Sequence, residues 1–280
     1  MIALKNIAII GGDKRTLHIY NSLKDLNYNI SLYAFGDYKY DSNKIKEANI
    51  IILPIISSND NEILFAPEYK EKIKIETLLK DINNAKIIIG GKIHKDIKNL
   101  GNKKYIEYIN DKKFKSKNAI LTVEAAISIA INNYPKSIYD SKILIIGFGE
   151  IGKYLSKILT DLGADIVTSA RKETDFKEMK EKNIKCIHTA DINKHLYEFD
   201  IIFNTVPHQV LYDEALQKLD KNKLIIDLAS YPYGLEHSNK YNCKILLELA
   251  LPGRYSPISA SEIITKTVID YLSEVKTDEI

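Results

Sequence analysis

The sequence predicts an α/β fold made of two domains, each a doubly wound parallel sheet. Short, near-continuous apolar runs alternate with helical patterns along the chain, the signature of parallel strands covered on both faces by crossover helices. The alternation starts again after an apolar helix in mid-chain, and 280 residues suffice for two cores of ordinary size.

Ile7–Ile10 reads as a strand and Thr16–Leu26 as a helix with Leu17, Tyr20, Leu23 and Leu26 on one face. Ile30–Ala34 follows as a second strand and completes a βαβ unit. Ile50–Leu53 and Lys86–Ile89 continue the series, with Ile75–Lys80 helical between them and Tyr105–Tyr108 as one more short strand. A helix over Val123–Asn132, with Thr122 as N-cap and Pro135 beyond its end, bridges the two series. The second series has a strand at Lys142–Ile146 and a helix at Ile151–Leu162. Its further strands are Ile166–Thr168, Cys186–His188, Ile201–Asn204, Leu224–Asp227 and Lys244–Leu247, and a closing helix spans Ser259 to Leu272. The expected domains are residues 1–130, joined by the returning segment 255–280, and residues 131–254.

Composition narrows the function. Apolar residues make up 45% and charged residues 28%, the balance of a soluble globular protein. The 40 basic and 37 acidic residues are interspersed, with no stripe for nucleic acid or a membrane surface. The apolar runs are too short to span a bilayer and the first residues lack the pattern of a signal peptide, so a cytoplasmic location is expected. Cys186 and Cys243 have neither metal-ligand spacing nor a disulfide framework, and no metal is predicted. Arginine is scarce: only Arg15, Arg171 and Arg254 occur among the 40 basic residues, so each is a candidate for a planar fork that lysine cannot replace.

The stretch K-I-L-I-I-G-F-G-E-I-G, Lys142 to Gly152, places Gly147, Gly149 and Gly152 in a G-x-G-x-x-G turn between strand and helix. The first glycine permits the tight turn, the second admits a pyrophosphate and the third lets helix pack on strand. The second domain is therefore expected to be a Rossmann dinucleotide-binding domain. About twenty residues further on, an Asp or Glu would bind a ribose 2′-OH. The chain reads S-A-R there, and Ser169 with Arg171 favours the 2′-phosphate of NADP, with NAD as the lesser alternative. Cofactor contacts are expected from Gly147, Phe148, Gly149, Glu150, Ile151 and Gly152 in the turn, and from Ser169, Ala170 and Arg171. Two further strand ends add Thr205, Val206 and Pro207 in N-T-V-P, and Leu228, Ala229 and Ser230 in D-L-A-S.

I-I-G-G-D-K-R at Ile9–Arg15, I-L-T-V-E-A at Ile120–Ala125, the glycine turn, S-A-R, N-T-V-P, D-L-A-S and L-P-G at Leu251–Gly253 stand in the order seen in the A subunit of dipicolinate synthase, which the chain resembles along its length. The resemblance implies the dehydrogenase half of a two-subunit sporulation enzyme, partnered by a flavoprotein-like B subunit, in the mother cell of a sporulating bacterium. It also implies a flavodoxin-like N-terminal substrate domain and a small cyclic dicarboxylate substrate, a dihydro- or hydroxy-tetrahydrodipicolinate oxidised to pyridine-2,6-dicarboxylate. A homo-oligomer is expected. The family tends to carry Arg and Gly where Tyr231 and Tyr233 stand, and T-A-G where this chain has Ser259, Ala260 and Ser261.

A dicarboxylate calls for cations or helix N-termini. Arg15, after the first strand, and Arg254, after L-P-G, are candidate carboxylate clamps expected to face a cleft between the domains; an Arg paired with a nearby acid is the equally weighted alternative. Thr122 could cap its helix or hold a carboxylate. Glu124 and His208, with His94, are the acid–base candidates. Two other classes remain: a D-2-hydroxyacid dehydrogenase, whose usual Arg and His are replaced here by Tyr231 and Arg254, and a non-catalytic NAD(P)-binding sensor or scaffold.

Overall fold

The structure, a computed structural model, describes residues 6–26, 28–235 and 240–274. It divides into two compact units, Met1–Asn118 with Ser256–Ile280, and Ala119–Tyr255.

The first unit holds strands β1 (Asn6–Ile10), β2 (Asn29–Tyr33), β3 (Ile50–Ile52), β4 (Ile87–Gly90) and β5 (Lys104–Glu107) in the all-parallel order β2-β1-β3-β4-β5. Its helices are α1 (Lys14–Lys24), α2 (Ser42–Lys46), α3 (Ile75–Asp81), α4 (Lys95–Lys98), the start of α5 (Lys112–Asn133) and α11 (Pro257–Glu274). The alternation of a strand decides the layers. Ile7 and Ile9 of β1 face a core shared with Ile19 and Leu23 of α1 and Ile264, Val268 and Leu272 of α11. Ala8 and Ile10 face the opposite core, with Ile45, Leu78 and Ile97 from α2, α3 and α4.

The second unit holds β6 (Lys142–Ile146), β7 (Asp165–Ala170), β8 (Lys185–His188), β9 (Ile201–Asn204), β10 (Leu224–Asp227) and β11 (Lys244–Leu247), in the order β11-β10-β9-β6-β7-β8, again all parallel. This is the doubly wound order of dinucleotide-binding domains, reversing direction between its first and fourth strands. Helices α6 (Glu150–Asp161), α7 (Glu173–Glu181), α8 (Ile192–His195), α9 (Asp213–Leu216) and α10 (Leu251–Tyr255) complete it. Ile143 and Ile145 pack with Leu155 and Leu159 of α6 and with Val123–Ala130 positions of α5, while Leu144 and Ile146 pack with Ile192, Leu196 and Leu216.

One helix differs from expectation. α5 begins at Lys112, not Val123, so Thr122 lies inside it and is no N-cap. Asp111 caps it instead, its Oδ1 accepting from Phe114 N at 2.7 Å. The segment K-K-F-K-S-K-N carries a single apolar residue, so the helical period stays invisible there although lysine is a good helix former. The division between units falls at Asn118–Ala119, inside this helix, rather than at residue 130. Among the described residues no helix is long and apolar enough to cross a membrane.

Candidate functional site

In the second unit the turn after β6 sits where the strand order reverses, beside the end of β9. Gly147 has φ +100°, and a Cβ there would lie 2.5 Å from Thr205 Oγ1 and 2.8 Å from a Val206 methyl. Thr205 is fixed in turn by donating from Oγ1 to Ile146 O at 2.8 Å. A Cβ on Gly152 would lie 2.0 Å from Gly147 O, so the start of α6 rests directly on the turn. A Cβ on Gly149 would meet nothing within 4 Å. Gly149 is also the N-cap of α6 and has no side chain to occupy the first N–H groups. A tight turn, a close helix and open space over free N–H donors are the cradle a pyrophosphate needs, and these residues fit a dinucleotide. Phe148 is turned away from that space. It is buried with Ala170 and Met179, with Lys153 Nζ 5.0 Å over its ring, so it anchors the turn and offers only backbone. Glu150 is exposed on the first turn of α6, and Ile151 packs on the core below.

At the end of β7 the two residues expected to read the 2′-position part company. Ser169 is fully buried and its Oγ accepts from Thr189 Oγ1 at 3.3 Å, whereas Arg171, just past the strand, is exposed. Of the two, only Arg171 presents its side chain, with the exposed Lys172 beside it.

The ends of β9 and β10 are tied by a pair that sequence reasoning quoted within motifs but assigned no role. Asn204 and Asp227 are register partners, both fully buried. Asp227 Oδ1 accepts from Asn204 Nδ2 at 2.7 Å and Ala229 N at 3.1 Å, and Oδ2 accepts from Gly234 N at 2.9 Å. Asn204 also binds the loop after β9, donating to Val206 O at 3.0 Å and accepting from Val206 N at 3.1 Å. The N-T-V-P and D-L-A-S loops are thus joined in one hydrogen-bonded network. Two apolar strands ending on polar residues were the available signal, but only strand order shows that they meet. Val206 is half-buried and Pro207 exposed, while Leu228 and Ala229 are buried and Ser230 is exposed. Tyr233, where the family tends to carry Gly, has φ +68°, a left-handed conformation that favours Gly.

In the first unit the corresponding reversal lies between β1 and β3. Arg15 stands there, 7% exposed. Its Nε and Nη2 donate to Asp13 Oδ1 and Oδ2 at 2.9 and 2.6 Å, and Asp13 Oδ1 also caps α1 through Arg15 N. Burial alone would raise the Asp13 carboxyl, but the guanidinium outweighs it and holds Asp13 below the ordinary carboxylate value. Next to this pair is a space of ≈ 20 Å³, lined by Gly11, Thr16, Pro54, Phe65 and the buried Tyr108 among others. It has room for about one water. Burial pushes the Tyr108 hydroxyl up, so it stays a neutral phenol.

Arg254 is likewise paired within its own unit: Nη1 donates to Glu248 Oε2 at 2.7 Å and Leu249 O at 3.3 Å, and the guanidinium lies 5.7 Å from the Tyr255 ring centroid. Thr122 is buried mid-helix, Glu124 exposed on the same helix, and His208 exposed in the loop after β9. Ser261, where the family tends to carry Gly, is fully buried and its Oγ bonds Pro257 O and Ile258 O, both at 2.7 Å, within the first turn of α11.

Residues 6–110 match the family of N-terminal domains of the dipicolinate synthase A subunit, and residues 118–230 match the NAD binding domain of D-isomer specific 2-hydroxyacid dehydrogenases. The dipicolinate synthase A subunit of Bacillus subtilis (strain 168) is 26% identical over 295 residues, which cover 100% of this chain and 99% of that protein. The chain is similar to the dipicolinate synthase A subunit from end to end. The solved structure of the Bacillus subtilis A chain superposes with a TM-score of 0.86 at 26% identity, over 98% of this chain and 97% of that one. The structure of its Bacillus halodurans counterpart has the same fold, with a TM-score of 0.86 at 24% identity, over 98% of this chain and 100% of that one. With its dinucleotide cradle and NAD-binding match, the chain is an NAD(P)-dependent oxidoreductase.

Proposed function

We propose that this protein is the NADP-dependent dehydrogenase subunit of a dipicolinate synthase. It oxidises a dihydro- or hydroxy-tetrahydrodipicolinate to pyridine-2,6-dicarboxylate during sporulation, in the cytoplasm and with a flavoprotein-like B subunit. Similarity along the whole chain carries the reading, because it spans both units rather than the cofactor domain alone. When bound, NADP supplies the hydride acceptor. Gly147, Gly149 and the first N–H groups of α6 hold its pyrophosphate, and Arg171 selects the 2′-phosphate through charge and a planar fork. The Asn204–Asp227 pair sets the two loops that line the nicotinamide end. In the first unit Asp13 prealigns Arg15 for a carboxylate, and in the second unit Glu248 orients Arg254. Held acids keep each guanidinium oriented at the cost of part of its charge.

The test is reduction of NADP or NAD by dihydrodipicolinate, with and without a flavoprotein partner, on the parent and Arg171→Asp. The parent should prefer NADP, and the variant should lose NADP affinity about tenfold or more, as expected for a charge-assisted contact. Turnover of D-2-hydroxy acids with none of the cyclic dicarboxylate would reject the reading.

A further inference from the structure

The imidazole of His94 lies at the carboxyl edge of the first sheet, four residues beyond the end of β4. The connecting stretch is pressed onto the residues that follow β3. Gly91 N donates to Pro54 O at 3.2 Å, Lys92 N donates to Ile55 O at 2.7 Å, and a Cβ on Gly91 would lie 2.1 Å from Ile55 O. The His94 side chain is 5% exposed. Its Nδ1 accepts from Asp96 N at 3.3 Å, as the N-cap of α4. With Nδ1 accepting from Asp96 N, the proton of the neutral ring is on Nε2; the Asp96 carboxylate lies 3.7 Å from Nδ1. Nε2 is buried and meets no partner among the described residues.

Capping does not explain a histidine here. Asn, Asp or Ser would cap at least as well and leave no second nitrogen buried, whereas a buried donor without an acceptor is destabilising. Among the described residues none of the side chains that could accept along this edge meets Nε2, and each has a partner of its own. Asp13 is held by Arg15, and Glu107 accepts from Ile93 N at 2.8 Å and from Lys98 Nζ at 3.4 Å. The Ser57 hydroxyl donates its own proton to Lys92 O. Sheets of this strand order take ligands at this edge, and Arg15 already stands on it at the end of β1. A buried N–H whose acceptor has to arrive from outside, on an edge that carries an oriented guanidinium, suits an anionic oxygen.

We propose that His94 Nε2–H donates a hydrogen bond to a carboxylate oxygen of the substrate at the carboxyl edge of the first sheet. This deepens the function proposed above and rests on it for the choice of dicarboxylate. His94 acts as a binding residue, and no proton leaves it in this role.

The experiment uses the whole chain, with proton–nitrogen correlation spectra of the histidine side chains during titration with pyridine-2,6-dicarboxylate or D-lactate, on the parent and His94→Asn. Asparagine retains the cap and removes Nε2 together with the adjoining ring carbon Cε1, so NADP affinity should stay unchanged whatever the small void costs in melting temperature. The signal missing from the variant should shift in the parent when the dicarboxylate is added, and dicarboxylate affinity should fall about tenfold or more in the variant. Equal dicarboxylate affinity in both proteins overturns the inference and leaves the proposed function standing. His94-dependent binding of D-lactate without binding of the dicarboxylate keeps the site and rejects the dicarboxylate reading. A His94 signal that neither carboxylate moves overturns the inference, the nitrogen then being met by water only.

Discussion

A Cβ added at Gly149 meets nothing within 4 Å, whereas one added at Gly152 lies 2.0 Å from Gly147 O. The two glycines therefore answer to different pressures, one to a ligand and one to the fold. Gly152→Ala pushes a methyl into a backbone carbonyl, which cannot rotate aside as a side chain can, and should destabilise the protein by about 1–3 kcal/mol. Gly149→Ala has no such clash and its φ of −77° suits any residue, so its melting temperature should change little. Its NADP affinity should nevertheless fall about tenfold or more, a loss of about 1.4 kcal/mol, because the methyl stands where the pyrophosphate approaches. Thermal melts beside cofactor titrations separate the two, and a Gly149→Ala protein that binds NADP normally would place the phosphates elsewhere. These roles are legible in the sequence, since a strand, three spaced glycines and a helix determine them locally. The Asn204–Asp227 pair is not, because its members are 23 positions apart and meet only when β9 and β10 lie side by side. Ser169 shows the opposite failure. Its place at the strand end is readable, but which way its hydroxyl turns depends on Thr189 after the next strand.

At the scale of elements, strands built from isoleucine runs, such as Ile50–Ile52 and Ile87–Ile89, could be placed to within a residue or so, because nothing but a fully buried strand accommodates them in this alternation. Helix α5 escaped at its start for the contrary reason: its first turns are lysine-rich and carry no periodic apolar face. What begins it is chemical rather than hydrophobic, the Asp111 carboxylate taking Phe114 N while Asp111 O takes Lys115 N at 2.9 Å. Asp111→Ala should therefore cost about 1 kcal/mol in urea unfolding, and Asp111→Asn clearly less. Hydrogen exchange should show the loss concentrated at Phe114 and its neighbours, with the segment after Ala119 protected as before. Uniform loss along α5 would mean that Asp111 supports the packing of the helix rather than its first turn.

At the scale of the molecule, each unit builds its sheet and its cores from its own described residues. The three core clusters of the second unit draw on Val123–Leu251 positions, and the two of the first unit on Ile7–Phe114 and Ile264–Leu272 positions. The cofactor cradle belongs to the second unit alone. A ligand stabilises whatever opening would destroy its site, by about 2.7 kcal/mol when present at 100 times its Kd. Saturating NADP should therefore slow exchange at the core amides of β6, β7 and β9 by up to that amount, and leave those of β1, β3 and β4 less affected. Pyridine-2,6-dicarboxylate, if it is held through Arg15 and His94, should act in the opposite sense, protecting the turns after β1 and β4 first. The two ligands added singly and together then report on linkage: protections that simply add show independent sites, and an extra gain with both present measures a coupling free energy between them. Equal protection of both sheets by NADP alone would show that the units open as one, and the cofactor would then stabilise the first unit before any second ligand arrives.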